Sequence, residues 1–311
     1  MKRVLVTGGA GFIGSHIVDL LLNEGVTIRV LDNLSTGKME NLPFMATGLE
    51  FIQGSVEDKQ CVIEACRNVD AVIHLAALVS VPASIEHPDK SAATNLLGFH
   101  NVLEALREQD FKGRLLYASS AAVYGVDVGE APLTEDQAPG NLASPYAQDK
   151  YSNEMYAQLY NKLYGISSLG FRFFNVYGPR QDPDSPYSGV ISIFMDRAFA
   201  KQDIKIFGDG SQTRDFVYVG DLVKALRLAL DSEYQGVLNL GTGVTTEIGE
   251  LAEQIKHLCT ADVAVHNEPE RAGDIKYSLA DLSLLKSALD FVPATPIQEG
   301  LAYLKHWMNN A

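Results

Sequence analysis

Three glycines at the junction of a strand pattern and a helix pattern constrain the fold of this chain most strongly. The apolar run Arg3–Thr7 predicts a buried strand and Ile13–Asn23 predicts a helix, with Gly8, Gly11 and Gly14 around the junction. Glycines leave the amides at a helix N-terminus bare, and the helix dipole favours an anion there. A purely structural turn could use the same residues. The spacing therefore predicts a βα unit that can hold a pyrophosphate.

Strand and helix patterns go on alternating through the first half of the chain. Buried strands joined by helices predict an α/β fold with a doubly wound parallel sheet and right-handed crossovers. The predicted strands are Arg3–Thr7, Thr27–Leu31, Glu50–Gln53, Ala71–Leu75, Arg114–Ser119 and Ser167–Phe173, and the predicted helices are Ile13–Asn23, Lys59–Arg67, Lys90–Glu108 and Tyr146–Tyr164.

The character of the sequence changes near its middle. The segment Gly178–Pro186 is rich in turn-forming residues, and short mixed elements follow it. We expect residues 1–174 to form a dinucleotide-binding domain, with part of 214–243 returning to its sheet. Residues 175–311 are expected to form a smaller α/β lobe that binds the substrate.

An acidic residue after the second strand sharpens the cofactor prediction. Asp32 lies where a carboxylate can bind ribose hydroxyls and repel a 2′-phosphate, which favours NAD over NADP. The alternative is an Asx-turn with Asn33. The predicted NAD contacts near the strand ends are Gly8, Gly11, Phe12, Ile13, Gly14, Asp32, Asn33, Ser35, Gly37, Ser55, Val56, Leu75, Ala76 and Ala77.

A tyrosine and a lysine four residues apart predict the catalytic group. Tyr146 and Lys150 share a helix face, and an ammonium near a phenol, together with oxidised nicotinamide, would lower its pKa and make it a proton acceptor. The same helix pattern could instead be only a packing or dimer face. Ser120, at the end of the fifth strand, could hold the same substrate oxygen, with neighbouring Ser119 as the alternative. We predict that Tyr146 and Lys150 also contact NAD.

Composition narrows the class of partner. The chain has 311 residues, 46% of them hydrophobic, and a net charge of −14, which argues against nucleic acid or an anionic membrane as the main partner. Cys61, Cys66 and Cys259 lack the spacing of metal ligands, so we expect reduced thiols and no metal.

The N-terminus shows no signal peptide, and no apolar run reaches the roughly 20 residues of a membrane span. We expect a soluble cytoplasmic protein.

Further motifs run in order along the whole chain, at Thr7–Gly14, Asp32–Leu34, His74–Ala77, Thr94–Asn95, Ser119–Gly125, Tyr146–Lys150, Phe174–Arg180, Gly208–Phe216 and Arg271–Asp274. Together they resemble the extended short-chain dehydrogenase/reductase superfamily, and within it the NAD-dependent UDP-hexose and UDP-N-acetylhexosamine 4-epimerases. The resemblance implies a Rossmann fold and an NAD that stays bound and is regenerated at each turnover.

The resemblance also implies ligand contacts for single residues. Asn175 and Arg214 would meet the diphosphate of a nucleotide sugar, Arg271 and Asp274 would hold the diphosphate and the nucleoside ribose, and Asn95 would contact NAD. Without the resemblance, both arginines would be interpreted as ordinary surface residues. The other residues implied for the substrate are Ser80, Ser84, Ser120, Val190 and Ser278.

Two departures from the family pattern bear on the chemistry. Ser55 stands where the family often has an Asp near adenine, which would weaken one contact. Ala121 and Ala122 stand where sugar dehydratases carry an Asp-Glu pair. Because alanines supply neither acid nor base, the chain is not expected to eliminate water or to decarboxylate a sugar.

The resemblance therefore implies reversible oxidation at C4 of a UDP-sugar through a 4-keto intermediate. In related epimerases a large Tyr at the position of Ser278 excludes N-acetyl groups, so the resemblance implies UDP-N-acetylglucosamine and UDP-N-acetylgalactosamine as the substrates. UDP-glucose and UDP-galactose are expected as a weaker secondary pair, and a C6-carboxylated sugar is a further alternative. The alternatives are a nucleotide-sugar reductase or dehydrogenase of the same superfamily, and a non-catalytic NAD-responsive binding protein. A homodimer through helices Asn95–Glu108 and Tyr146–Tyr164 is also expected.

Overall fold

The computed structural model describes residues 3–126, 128–182, 189–270 and 275–310. Strands in these ranges are β1 Arg3–Thr7, β2 Thr27–Asp32, β3 Leu49–Gln53, β4 Ala71–His74, β5 Arg114–Ser120, β6 Ser167–Phe173, β7 Asn175–Tyr177, β8 Ile204–Phe207, β9 Thr213–Tyr218, β10 Gly236–Leu240, β11 Thr245–Glu247 and β12 Val265–Glu268.

Helices in the same ranges are α1 Phe12–Asn23, α2 Lys59–Ala65, α3 Val81–Glu86, α4 Pro88–Ser91, α5 Gly98–Glu108, α6 Pro145–Tyr164, α7 Val190–Phe199, α8 Val219–Asp231, α9 Ile248–Cys259, α10 Ser283–Leu289 and α11 Ile297–Met308. A π-helical turn, Ala92–Leu97, connects α4 to α5. Each described helix is too short or too polar to cross a membrane.

A seven-stranded parallel sheet with the order β10-β6-β5-β4-β1-β2-β3 forms the centre of the fold. In the middle of the sheet, Thr7 of β1 pairs with Leu31 of β2 on one side and with His74 of β4 on the other. The C-terminal ends of these strands therefore lie side by side, and the loops that follow them share one edge of the sheet. This confirms the predicted α/β fold with a doubly wound parallel sheet.

The chain divides into two compact units, each built from three segments. The first unit comprises Met1–Val123, Ser144–Arg172 and Val223–Leu238, and the second comprises Tyr124–Ala143, Phe173–Leu222 and Asn239–Ala311. The segment 124–143 thus groups with the second unit, whereas the sequence placed it in the N-terminal domain. Backbone hydrogen bonds explain the grouping, because Leu133 donates to Leu279 O and accepts from the amide of Asp281.

Each unit has its own apolar core. In the first, Leu5 and Leu115 from the sheet lie against Phe99 and Leu103 of α5, all with exposures of 1% or less. In the second, Met195 of α7 belongs to the cluster formed with α9 and α11. Burial of these side chains is the main favourable contribution to the stability of each unit.

The smaller sheets belong to the second unit. One has the order β11-β9-β7 and the other pairs β12 with β8. Strand β9 accordingly lies between β7, with which it is parallel, and β11, with which it is antiparallel. This arrangement places Arg214 of β9 opposite Thr246 of β11.

Candidate active site

The glycine-rich turn is shaped by contacts that leave no room for side chains. Gly8 has φ +70°, and a Cβ there would lie 2.7 Å from the amide nitrogen of Ala76. At Gly14, a Cβ would lie 2.1 Å from Gly8 O. Gly11 precedes α1 and has no side chain to cap its first amides. The first turn of α1 therefore presents bare backbone donors, as a pyrophosphate site requires.

Asp32 ends β2 beside this turn and is 7% exposed. Its Oδ2 accepts from the Ala10 amide at 2.9 Å, and its Oδ1 accepts from the Leu34 amide at 2.8 Å. The Asx-turn alternative is therefore present in the structure. A carboxylate offers about four acceptor positions, so capacity for ribose hydroxyls remains.

The loop after Asp32 packs closely against it. Asn33 Oδ1 accepts from the Ser35 amide at 3.0 Å. At Gly37, a Cβ would lie 3.0 Å from Asp32 Oδ1, so this position also favours glycine. The loop 33–37, which was predicted to reach the ribose, thus packs against Asp32, the residue predicted to bind it.

Loops after the neighbouring strands carry the other predicted NAD contacts. The Ala76 amide lies 3.3 Å from Thr7 Oγ1, which holds the 75–77 loop against β1. Ser55 Oγ accepts from the Glu57 amide at 3.2 Å, and Val56 is buried. These loops follow strands that end at the same edge of the sheet as Asp32 and the bare amides of α1, and this set of an acceptor and backbone donors fits NAD.

Asn95 is held by protein partners in the π-helical turn. It is 1% exposed, and its side chain accepts from the Leu78 amide at 2.8 Å and donates to Leu78 O at 3.0 Å. These two bonds fix the end of the loop that follows β4. Its predicted contact with NAD stays a prediction.

The helix α6 carries Tyr146 and Lys150. Ser144 caps it by accepting from the Ala147 amide, Pro145 occupies its first turn, and Gly165 ends it with φ +70°. The Tyr146 phenol hydrogen-bonds with the Ser120 side chain. Lys150 Nζ lies 5.7 Å from the centre of the Tyr146 ring. The structure thus brings the predicted catalytic trio together at the C-terminal end of β5.

Burial changes the pKa values of two members of this trio. Burial raises the pKa of Tyr146, and the Ser120 hydrogen bond lowers it only in part. Lys150 Nζ donates to Ala118 O at 2.9 Å, which holds the ammonium beside β5. The predicted lowering of the Tyr146 pKa by Lys150 together with oxidised nicotinamide stays a prediction. Burial lowers the pKa of Lys150 itself to about 8.

The two adjacent serines have different surroundings. Ser119 is 2% exposed, and its hydroxyl donates to Glu154 Oε1 at 2.5 Å. Ser120 faces the phenol, and its Oγ also accepts from the Ala122 amide at 3.1 Å. The geometry therefore favours Ser120 over Ser119 as the hydroxyl next to the reacting oxygen.

A buried ion pair next to the trio was not predicted from the sequence. Glu154 and Arg172 have side-chain exposures of 5% each and are joined by two hydrogen bonds of 2.7 and 2.9 Å. Glu154 is four residues beyond Lys150 and so lies on the same face of α6 as Tyr146. This spacing is the sequence signal that could have placed Glu154 near the site. Its partner on β6 could not be inferred from spacing.

Ser80 and Ser84 both make structural hydrogen bonds within the first unit. Ser80 caps α3 by accepting from the Ala83 amide at 2.9 Å. Ser84 is fully buried, donates to Val81 O at 2.7 Å and accepts from the Tyr146 amide at 3.2 Å. Ser84 therefore connects α3 to the start of the catalytic helix, and its role in substrate binding stays a prediction.

The second unit contains the residues expected to bind the nucleotide. Asn175 begins β7 and is half-buried, Val190 begins α7, and Ser278 is 6% exposed. Arg214 lies on β9, where its Nη1 donates to Thr213 O at 2.9 Å. Arg271 and Asp274 lie outside the described residues.

Asp215 organises this group, although no separate role for it was predicted. It is fully buried and accepts from Thr242 Oγ1 at 2.7 Å, from the Gly243 amide at 2.9 Å and from the Ala280 amide at 3.2 Å. It therefore ties β9, next to Arg214, to the segment that carries Ser278 and Ala280.

Comparison with known proteins decides the family. The model of the NAD dependent epimerase/dehydratase family matches residues 4–241. The chain belongs to this family. A UDP-glucose 4-epimerase of Mycolicibacterium smegmatis is 37% identical over 312 residues, which cover 99% of each chain.

Solved structures agree with this assignment. The chain is similar to a UDP-N-acetylglucosamine 4-epimerase from Methanobrevibacter ruminantium in complex with UDP-N-acetylmuramic acid, at 39% identity and a TM-score of 0.93, over 99% of this chain and 98% of that one. It is also similar to a Thermus thermophilus UDP-glucose 4-epimerase in complex with NAD, at 38% identity and a TM-score of 0.92, over 100% of both. The predictions of a Rossmann-type sheet, of NAD and of an epimerase, which is an isomerase, are confirmed.

Proposed function

We propose that this enzyme interconverts UDP-N-acetylglucosamine and UDP-N-acetylgalactosamine by inverting C4, and that it also accepts UDP-glucose and UDP-galactose. The observation that supports this most directly is the Tyr146 phenol, hydrogen-bonded with Ser120 and 5.7 Å from Lys150 Nζ, measured to the ring centre. Such a group can take a proton from a sugar hydroxyl and return it.

In the proposed mechanism, Tyr146 removes the proton of the 4-hydroxyl while Ser120 holds the same oxygen. When bound, NAD supplies a hydride acceptor that gives the hydride back, and its oxidised ring adds the positive charge that favours the phenolate. Lys150 contributes a second positive charge. The 4-keto sugar then turns about its diphosphate linkage, and Tyr146 returns the proton to the oxygen on the inverted carbon.

The surroundings of Ser120 support epimerisation over other fates of the ketone. Ala121 and Ala122 follow it in the short turn after β5 and carry no acid or base. Water elimination needs both groups at that position, whereas epimerisation needs none beyond the catalytic trio. We therefore assign Asn175, Arg214, Arg271 and Asp274 to the UDP group and leave the sugar chemistry to the trio.

The test uses purified enzyme and UDP-N-acetylglucosamine without added NAD, with the sugar followed by proton NMR. We expect UDP-N-acetylgalactosamine to accumulate to equilibrium. A reductase or dehydrogenase would instead consume or produce stoichiometric NAD(H), and a binding protein would leave the sugar unchanged. Either result would overturn the proposal.

Replacing Tyr146 with Phe tests the catalytic role. The variant keeps the ring that fills the site but loses the proton acceptor, so turnover should fall by at least about 100-fold. NAD released from denatured enzyme and measured by chromatography should equal that of the wild type. Full activity in this variant would contradict the mechanism.

Ser278 is proposed to leave space for the N-acetyl group. It is 6% exposed, so a larger side chain must enter the site or displace its neighbours. A Ser278→Tyr variant should lose activity on UDP-N-acetylglucosamine and keep activity on UDP-glucose, while Ser278→Ala should process both. Normal N-acetyl activity in the Tyr variant would refute this role.

A further inference from the structure

We propose that Asp149 keeps the ammonium of Lys150 charged and thereby sets the upper pH limit of catalysis. This inference rests on the proposed function, in which Lys150 assists Tyr146. Asp149 does not touch the reacting atoms; it acts through its neighbour on α6.

Asp149 and Lys150 are consecutive residues, and both are buried. Their exposures are 6% and 3%. A buried carboxylate and a buried ammonium each lose hydration, and each is stabilised by a compensating charge nearby. Since consecutive helix positions differ by about 100° in direction, the two side chains can face different neighbours while their charges still interact.

Hydrogen bonds on the far side of α6 hold the Asp149 carboxylate in place. Ser91, the last residue of α4, donates from Oγ to Asp149 Oδ2 at 2.6 Å. Asn95 Nδ2 lies 3.3 Å from the same Ser91 Oγ, and Asn153 donates to Asn95 O at 3.0 Å. The carboxylate is therefore fixed by α4 and the π-helical turn, not by solvent.

The electrostatics of the two residues are reciprocal. Burial lowers the pKa of Lys150 to about 8, and Asp149 is the charge that raises it. Burial raises the pKa of Asp149, while Ser91, Lys150 and Asn95 lower it. Removing the Asp149 charge should therefore lower the pH at which Lys150 loses its proton.

The other ionisable groups around Lys150 do not replace this charge. His74 on β4 is uncharged at neutral pH, because burial and Lys150 lower its pKa to about 3. Tyr146, whose pKa burial raises, is a neutral phenol in the chain alone. Glu154, one turn beyond Lys150, is paired with Arg172.

The decisive comparison is Asp149→Asn with Ser91→Ala. The first variant removes the charge and keeps a side chain of the same shape, whereas the second removes the Ser91 hydrogen bond and keeps the charge. Each is measured for the pH dependence of kcat and for the titration of Lys150 by NMR of protein with 13C-labelled lysine, assigned through Lys150→Arg.

For Asp149→Asn we expect two changes. The alkaline limb of the pH profile of kcat and the midpoint of the Lys150 titration should both move to lower pH by about 1 pH unit. For Ser91→Ala we expect a much smaller displacement of both, because the carboxylate loses one hydrogen bond but keeps its charge. The inference would be overturned if the Lys150 titration curves of Asp149→Asn and the wild type coincide. It would also be overturned if the Lys150 midpoint moves equally far in Ser91→Ala and in Asp149→Asn. Thermal unfolding checks that both variants fold, and Asp149→Ser replaces the Asn variant if that one does not.

The two measurements separate this inference from the proposed function. If Asp149→Asn moves the midpoint of the Lys150 titration but the wild type has no epimerase activity, the Asp149–Lys150 coupling is supported and the proposed function is contradicted. An unmoved midpoint in an active epimerase contradicts the coupling alone.

Discussion

Two neighbouring serines show how much one residue position matters at the end of β5. Ser119 points into the first unit and donates to Glu154, whereas Ser120 meets the Tyr146 phenol. Successive residues of a strand face opposite sides, so adjacent hydroxyls reach different neighbours. One serine therefore belongs to a structural network and the other to the proposed catalytic trio.

This difference predicts opposite phenotypes for two alanine variants. Ser120→Ala should lower kcat by about 10- to 100-fold, because one hydrogen bond to the reacting oxygen is worth roughly 1.5–3 kcal/mol when charge develops there. Ser119→Ala should leave kcat nearly unchanged and lower the free energy of unfolding, because Glu154 loses a donor. Steady-state kinetics and urea unfolding of both variants provide the check, and a larger kcat loss in Ser119→Ala would reverse the assignment.

At this scale the sequence predicts residues whose role follows from local spacing. The glycine turn, Asp32 and the pair Tyr146 and Lys150 could each be placed from a strand end or a helix repeat. Asp215 and Glu154 could not be assigned, because their partners lie far along the chain and only the folded structure brings them together.

At the scale of elements, the Glu154–Arg172 pair connects α6 to β6 behind the catalytic residues. The pair is buried, so each charge depends on the other for stabilisation. Glu154 also accepts from Ser119, next to Ser120, for which we propose a catalytic role. The orientation of α6 on the sheet therefore depends on an ion pair as well as on apolar packing.

Breaking this pair from one side should be more costly than replacing it. Glu154→Gln leaves Arg172 charged and buried and should lower the free energy of unfolding by about 3–5 kcal/mol. The double variant Glu154→Leu/Arg172→Met removes both charges and should regain much of that loss. Urea unfolding at neutral pH measures both, and a double variant less stable than Glu154→Gln would argue against the electrostatic explanation.

Elements with a strong hydrophobic period were predicted nearly at their observed ends. Strands β1 and β6 match, and the catalytic helix begins one residue earlier than predicted. The helix predicted over Lys90–Glu108 is divided by the π-helical turn, in which Asn95 accepts a hydrogen bond from the Leu78 amide. Periodicity gives no signal for such a tertiary bond, nor for the irregular segment 124–143.

At the scale of the whole molecule, α6 presents an apolar stripe. Met155, Leu159 and Leu163 recur every four residues and are 49%, 44% and 57% exposed, and Leu97 at the π-helical turn is 57% exposed. Apolar side chains repeated on one helix face are typical of a helix-to-helix interface. They support the proposed homodimer through this face.

The dimer proposal is tested by placing a charge in the stripe. Leu159→Lys should shift the protein towards monomer in light scattering coupled to size-exclusion chromatography, because burial of an unpaired ammonium is unfavourable. Leu228→Lys on α8 is the matched control, since Leu228 is 42% exposed and lies on another helix. A monomeric wild type, or an unchanged mass for Leu159→Lys, would contradict the proposed interface.

The three-segment composition of each unit has a consequence for how the protein is made. The first unit needs Val223–Leu238, so its sheet stays incomplete until most of the 311 codons have been translated. Until β10 emerges from the ribosome, β6 is an unpaired edge, which is the kind of strand that associates wrongly. No contiguous gene fragment encodes either unit, so neither unit can be transferred to another gene as a single segment.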